Sequence, residues 1–114
     1  MTSIEHKKLF TDILKAILSI DEHLEGRRIF AEYQSNKTKR RAVERELEIV
    51  GEAVNRLLKL DPTINISYSR LIVDLRNKVI HAYDNVNDVV IWNVIMKYVP
   101  VLKIEVEALL EDRQ

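Results

Sequence analysis

Four side chains that could act on a phosphodiester lie within one short stretch, Arg76-Asn77-Lys78-Val79-Ile80-His81-Ala82-Tyr83. Imidazole titrates near neutral pH, so a histidine can accept a proton and return it. Guanidinium stays charged, and its fork of N–H donors matches the oxygens of a phosphate. RNA carries its own nucleophile, the ribose 2′-hydroxyl. An arginine that stabilises the phosphate and a histidine that moves protons are therefore a minimal set for cleaving RNA without a metal ion.

A single histidine cannot easily take the proton from the 2′-hydroxyl and protonate the leaving 5′-oxygen at once. A homodimer would supply the second group, because a two-fold axis near the helix end brings two copies of Arg76 and His81 to one cleft. Helical geometry places Asn77 one turn before His81, whereas Arg76 lies about 140° away around the axis. Arg76 and His81 are thus the candidate catalytic residues, and Asn77 and Lys78 are candidates to support them.

A structural interpretation of the same residues stays open at this point. A histidine near a helix C-terminus is favoured by the helix dipole. Arg76 would then pair with a carboxylate such as Asp74 or Glu52, and Tyr83 would cover the end of a bundle. Composition and spacing alone indicate no more than a helical bundle.

Apolar residues at three- and four-residue intervals predict the helices that would position these side chains. A first helix ends near Gly26, and a short one covers Arg28 to Tyr33. A long third helix covers about 38–60 and stops at Asp61-Pro62. Gly51 lies in its interior, where glycine costs about 1 kcal/mol relative to alanine. We therefore expect another helix to approach closely at Gly51.

The apolar side of a fourth helix is formed by Leu71, Ile72, Leu75 and Val79. Ser67 is its expected N-cap. Asn85 or Asn87 caps a fifth helix, and Pro100 is expected to kink that helix. The prediction is an all-α fold, an antiparallel four- to five-helix bundle, in a single domain over residues 1–114.

Composition excludes several classes of protein. The chain of 114 residues contains only 2 Gly and 2 Pro, too few for the frequent turns of an all-β fold. Because it has no Cys, it has no disulfide, thiol nucleophile or cysteine metal site. Lys plus Arg equals Asp plus Glu at 18 each, which excludes binding of nucleic acid by bulk charge alone.

Motifs for other chemistry are missing from the sequence. It has no glycine-rich phosphate loop and no histidine–carboxylate metal motif, so we expect neither a cofactor nor a metal. His6 and His23 are expected to be exposed helix residues. The sequence shows no signal peptide and no apolar stretch near the roughly 20 residues that span a bilayer. We expect a cytoplasmic protein with no membrane partner.

A basic segment, which we call the basic turn, lies at the start of the third helix. Residues 36–45 carry a net charge of +4, mostly from Lys37, Lys39, Arg40 and Arg41. These four residues are either a solvated helix end or a weak contact site for RNA or for an acidic partner.

The stretch 76–83 fits the R-x-x-x-x-H-x-Y motif, and the chain resembles the HepT-like toxins of the HEPN group. Residues 42–53 are similar to the central helix of that family, and residues 84–102 to its closing helix. The resemblance covers roughly residues 4–110. One departure is Glu46, where the family more often has Asn, and which could alter a face that meets a second subunit.

The resemblance implies an all-helical homodimer with its motifs in a cleft between subunits. It implies a metal-independent endoribonuclease toxin of a prokaryotic toxin–antitoxin pair, with RNA as substrate. The partner would be a nucleotidyltransferase antitoxin of the minimal (MNT) type that transfers AMP to the motif tyrosine. Carried over, Arg76 stabilises the phosphate, His81 is the acid and base, and Tyr83 becomes O-AMP-tyrosine.

A second function is compatible with the same residues. The chain could be a non-catalytic helical binding subunit that docks a nucleotidyltransferase or a nucleotide. A purely structural bundle is the third possibility. Replacement of His81 by alanine separates them, because only the toxin needs His81 for its activity.

Overall fold

The computed structural model describes residues 4–81 and 87–112, with the backbone alone at 78–81. The described chain consists of helices joined by turns and short irregular connections. The elements are α1 (Ile4–His23), α2 (Phe30–Ser35), α3 (Lys37–Leu60), α4 (Ser69–His81), α5 (Asp88–Asn93), a π-helical segment (Val94–Tyr98) and α6 (Val99–Asp112). Because α5, the π-helical segment and α6 follow one another without a break, they form one rod. The predicted all-α bundle is confirmed.

The long helix α3 is the central element of the bundle. It packs against α1 on one side and α4 on another, while α1 also contacts α6. Phe10 and Ile13 of α1, Val43 and Val54 of α3 and Ile95 are completely buried between these helices. No helix in the described part of the chain is long and apolar enough to cross a membrane.

The ends of α1 and α3 follow from local chemistry. Gly26 has φ +69°, in the left-handed region that ends helices, and its N–H donates to the carbonyl of Asp21. The side chain of Asn36 accepts from the backbone N–H of Lys39 and so caps α3. At the other end α3 stops at Asp61, before Pro62, as predicted.

The start of α4 differs from the prediction. The helix begins at Ser69, and the carbonyl of Tyr68 accepts the N–H of Ile72. Ser67 is not a cap, because its hydroxyl donates to Glu105 of α6 at 2.6 Å and its N–H donates to the same carboxylate. The predicted core position of Leu71 is also wrong. Its side chain is 37% exposed, whereas Val73 is buried with Ile72 and Leu75.

The irregularity predicted at Pro100 takes the form of the π-helical segment. The N–H of Val99 donates to the carbonyl of Val94, five residues back. Pro100 has no N–H, so a regular α-helix would leave the carbonyl of Met96 without a donor here. The wider turn falls immediately before the proline. Asn87 caps α5, as one of the two predicted positions.

Candidate functional site

The contact between α3 and α4 is centred on Gly51 and Arg76. A Cβ atom added to Gly51 would lie 2.2 Å from Cβ of Arg76 and 3.3 Å from the carbonyl oxygen of Ile72. Only glycine allows this approach, so the close packing predicted at Gly51 is confirmed. The helix that approaches is the one that carries the candidate motif, and the stem of Arg76 lies directly on α3.

Two neighbours orient the guanidinium of Arg76. Nη2 donates to Oε2 of Glu52 at 2.6 Å, and Nη1 donates to Oδ1 of Asn77 at 3.0 Å. Oε1 of Glu52 accepts from Nε of Arg56 at 3.3 Å. The Arg76 side chain is 25% exposed, so its tip reaches solvent. Nη1 and Nη2 each keep a second hydrogen with which they can bind an anion.

Glu52 is thus the carboxylate that holds Arg76. The structural interpretation named it together with Asp74, but Asp74 makes no ion pair with a described residue. The signal in the sequence for this contact is that Glu52 directly follows Gly51. A residue beside the point of contact between two helices lies near the partner helix. The contact with Glu52 limits the freedom of Arg76 without using all its donors.

The other motif positions that the structure describes lie in the second half of α4. His81 is the last residue of α4, and Lys78 lies one turn before it. The side chain of Asn77 is exposed. Tyr83 lies outside the described residues. The backbone places position 81 five residues after Arg76, about 140° further around the axis, so the two positions occupy different faces of α4.

A groove of about 460 Å³ lies beside Arg76, between α1 and α3; we call it the α1–α3 groove. Its charged side chains are largely paired. Lys8 binds Asp12 at 3.0 Å and Arg45 binds Glu48 at 2.9 Å, while Glu52 binds both of its arginines. Among the described residues, no group of three or more His, Asp and Glu side chains is arranged to hold a metal ion.

The basic turn is only half available for a partner. Arg40 donates to the carbonyl of Gln34 and lies 3.9 Å from Asp88. Arg41 donates to Glu44 at 3.2 Å. The Lys37 and Lys39 side chains form no ion pair within the described ranges, so the two lysines are the stronger candidates for a contact.

Two histidines outside the motif are not the exposed residues that we expected. His6 is 9% exposed and its ring lies 6.4 Å from that of Phe10. Nε2 of His23 lies 2.8 Å from Oε2 of Glu46, and both side chains are partly buried. The carboxylate that departs from the family pattern therefore has a partner within its own chain.

Comparisons with known proteins agree with this architecture. The family model described as Ribonuclease HepT-like matches residues 13–109. The Probable ribonuclease HepT of Thermococcus cleftensis is 37% identical over 109 residues, covering 91% of this chain and 94% of that protein. A protein of Caldanaerobacter subterraneus subsp. tengcongensis, named as a candidate RNase, is 35% identical over 89 residues, covering 75% of this chain and 77% of its own.

The likeness extends to a further organism. A candidate RNase of Methanocaldococcus jannaschii is 37% identical over 81 residues, which cover 68% of this chain and 72% of that protein. No solved structure matches the chain significantly. The family model spans most of the chain and takes in the complete motif. The chain therefore belongs to the HepT-like ribonuclease family.

Proposed function

We propose that the chain is a metal-independent endoribonuclease toxin of a prokaryotic toxin–antitoxin pair. The observation that carries the proposal is the arrangement of Arg76. Gly51 brings its stem against α3, and Glu52 and Asn77 orient its guanidinium, five residues before His81 at the end of α4. An arginine with free N–H groups at a solvent-accessible position can bind a phosphate.

Cleavage proceeds by attack of the 2′-hydroxyl on the adjacent phosphorus. His81 of one subunit takes the proton from the 2′-oxygen as that oxygen bonds to phosphorus. The bond from phosphorus to the 5′-oxygen breaks, and His81 of the second subunit protonates the leaving oxygen. Arg76 stabilises the negative charge on the phosphorane. The products are a 2′,3′-cyclic phosphate and a free 5′-hydroxyl, and no metal ion takes part.

The proposal includes a homodimer and a partner that regulates it. One protomer has a single motif, and one histidine cannot easily carry out both proton transfers at once. An MNT-type nucleotidyltransferase antitoxin neutralises the toxin by transferring AMP from ATP to the hydroxyl of Tyr83, with release of pyrophosphate. The bulky, charged AMP group then blocks the cleft. This chemistry takes place in the cytoplasm, where RNA and ATP are available, and Lys37 and Lys39 add a weaker RNA contact.

The test is RNA cleavage by the purified protein in excess EDTA. Wild type is compared with His81→Ala and Arg76→Ala, and intact mass is measured first because a protein with AMP on Tyr83 would be inactive. We expect cleavage by wild type only, with 2′,3′-cyclic phosphate ends. Loss of one group that stabilises the charge of the transition state typically lowers the cleavage rate about 100- to 1000-fold.

Two results would contradict the proposal. If unmodified, dimeric wild-type protein cleaves no RNA in a total-RNA preparation, the chain is the binding subunit, and His81→Ala should leave affinity for the nucleotidyltransferase intact. If the Arg76→Ala and His81→Ala variants cleave RNA as wild type does, these residues are structural. A purely structural arginine would make the same contact with Glu52, so this contact does not show that Arg76 is catalytic. The test therefore includes both Arg76→Ala and His81→Ala.

A further inference from the structure

A second groove, of about 750 Å³, lies between the start of α4 and the rod formed by α5 and the π-helical segment; we call it the α4–α5 groove. This volume is within the range of small-ligand sites. Its walls are mostly apolar, with Leu71, Leu75, Val90 and Val94 among them. Leu71 and Val90 are 37% and 45% exposed, so a considerable apolar surface is open to solvent here.

Polar groups surround this apolar surface and are unpaired within the described part of the chain. Arg70, Asp74 and Asn93 line the groove, and no described residue forms a hydrogen bond or ion pair with their side chains. In the α1–α3 groove, by contrast, almost every charge is paired. Unpaired donors and acceptors around an apolar floor are what a ligand with flat faces and polar edges requires.

An aromatic side chain completes the set. Tyr68 lines the groove, is 44% exposed, and packs edge-to-face with Tyr98 at a ring-centre distance of 4.6 Å. This contact fixes the ring and leaves part of it open. Proteins that recognise single-stranded RNA stack splayed bases on such rings and bind the base edges with polar side chains.

The groove and the end of the motif lie along one face of α4. Arg70 and Asp74 precede position 81 by 11 and 7 residues, so each lies within about 20° of position 81 around the axis. Along the axis, Asp74 and position 81 are about 10 Å apart. A few nucleotides of a single strand span that distance.

We propose that the α4–α5 groove binds an unpaired nucleobase of the RNA a few nucleotides from the scissile phosphate. The inference rests on the proposed function and deepens it, because it restricts the substrate to single-stranded RNA. The competing occupant is a second copy of the chain, and for that reason the test also measures the mass of each variant.

The test measures binding separately from cleavage. Two fluorescent probes are titrated into His81→Ala protein: a random-sequence single-stranded RNA dodecamer, and a dodecamer of tetrahydrofuran abasic spacers, which carries the phosphates but no bases. Fluorescence anisotropy gives the Kd for each. We expect Tyr68→Ala to weaken RNA binding about tenfold and to leave binding of the abasic probe unchanged. Tyr68→Phe, which keeps the ring, should bind as its parent does.

Further variants guard against a change in fold. Leu71→Ala removes part of the apolar floor and should also weaken RNA binding selectively. Ile104→Ala is the matched control, because Ile104 is an apolar α6 side chain, 68% exposed, that does not line the groove. Circular dichroism checks that each variant is folded, and light scattering gives its mass.

The proposal is overturned by any of three outcomes. Tyr68→Ala and Leu71→Ala could leave RNA binding unchanged, or weaken binding of both probes equally. Alternatively, they could convert a dimer to a monomer, in which case a second copy occupies the groove. If selective binding of RNA is observed but wild-type protein cleaves nothing, the nucleobase site stands and the proposed ribonuclease activity fails.

Discussion

Two carboxylates of the central helix α3 bind basic side chains of neighbouring helices, and the two contacts differ in what they hold. Near its C-terminal half, Glu52 binds Arg76 of α4 at 2.6 Å beside Gly51. Near its N-terminal half, Glu46 binds His23 of α1 at 2.8 Å. Both contacts join a partly buried carboxylate to a basic side chain on another helix. We call them the Glu52 contact and the Glu46 contact.

The difference is in the surroundings of each pair. The Arg76 guanidinium has N–H groups left over and belongs to the motif, so in the proposed function the Glu52 contact positions a side chain that binds the phosphate. The Glu46 contact lies away from the motif and joins two helices. A contact between a carboxylate and a basic side chain of another helix is thus no evidence of function by itself. The two contacts differ in whether the basic side chain keeps free N–H donors and lies beside other residues of the motif.

The largest expected effect comes from filling the space at Gly51. Gly51→Ala places a Cβ atom 2.2 Å from Cβ of Arg76, which cannot move without shifting α4. Alanine improves helix propensity by about 1 kcal/mol, but overpacking costs typically about 1–3 kcal/mol and more where backbone must move. We expect a loss of about 2 kcal/mol in the free energy of unfolding, measured by urea denaturation, together with a large loss of RNA cleavage.

Gly26→Ala is the matched control for that variant. Gly26 has φ +69° and no atom within 4 Å of an added Cβ, so its cost is backbone strain of about 1 kcal/mol. It lies at the end of α1, far in sequence from the motif, and cleavage should persist. If Gly51→Ala leaves both stability and cleavage unchanged, α3 and α4 are not held as close as the structure has them.

A smaller effect is expected from neutralising each carboxylate in turn. Glu52→Gln keeps the shape of the side chain but weakens its hold on Arg76, and we expect RNA cleavage to fall about tenfold through kcat, by analogy with loss of an orienting partner. Glu46→Gln should leave kcat and KM as in wild type and lower stability by about 1 kcal/mol or less. Steady-state cleavage of one RNA and urea denaturation measure both quantities.

If Glu52→Gln and Glu46→Gln change kcat equally, the two contacts do not differ in their role in cleavage. Rescue by Glu52→Asp separates positioning from mere charge. If the shorter carboxylate restores kcat in part, Glu52 acts by holding Arg76. If stability falls and kcat per folded molecule does not, the Glu52 contact is structural, as the Glu46 contact is.

The sequence predicted the Glu52 contact better than the Glu46 contact, for a physical reason. A glycine inside a long amphipathic helix is unfavourable unless something packs on it, so Gly51 by itself indicates that another helix approaches there. Glu52 follows from its place beside Gly51. No comparable signal marks His23 or His6, because one histidine on a helix fits an exposed or a buried position equally well.

Helix boundaries were predictable where a specific residue imposes them. Gly26, Asn87 and the Asp61-Pro62 pair mark ends that the structure confirms. The cap predicted at Ser67 is wrong because a hydroxyl before a helix has other possible acceptors, and here it binds Glu105, 38 residues away. The predicted core position of Leu71 is wrong because helical periodicity defines the apolar face of a helix only approximately. Long-range contacts of this kind depend on packing that one sequence does not display.

The smallest expected effect tests the short helix α2, where Tyr33 is fully buried and no described residue bonds its hydroxyl. Burial, together with Glu44 and Asp88, raises the pKa of the Tyr33 phenol above its usual value. The unfolded chain therefore loses this proton first as pH rises above about 10, so Tyr33 lowers stability there by up to about 1.4 kcal/mol per pH unit.

Tyr33→Phe removes that dependence and keeps the ring packed on Trp92, whose centre lies 5.3 Å away. We expect the variant to match wild type or gain up to about 1 kcal/mol at pH 7, because it buries no unpaired hydroxyl. Its advantage should then grow between about pH 10 and 11, while RNA cleavage at neutral pH stays the same. Urea denaturation of both proteins across that range isolates Tyr33 from the other titrating groups. A pH-independent difference would mean that the phenol reaches a partner or solvent, and lower cleavage would mean that α2 also supports the motif.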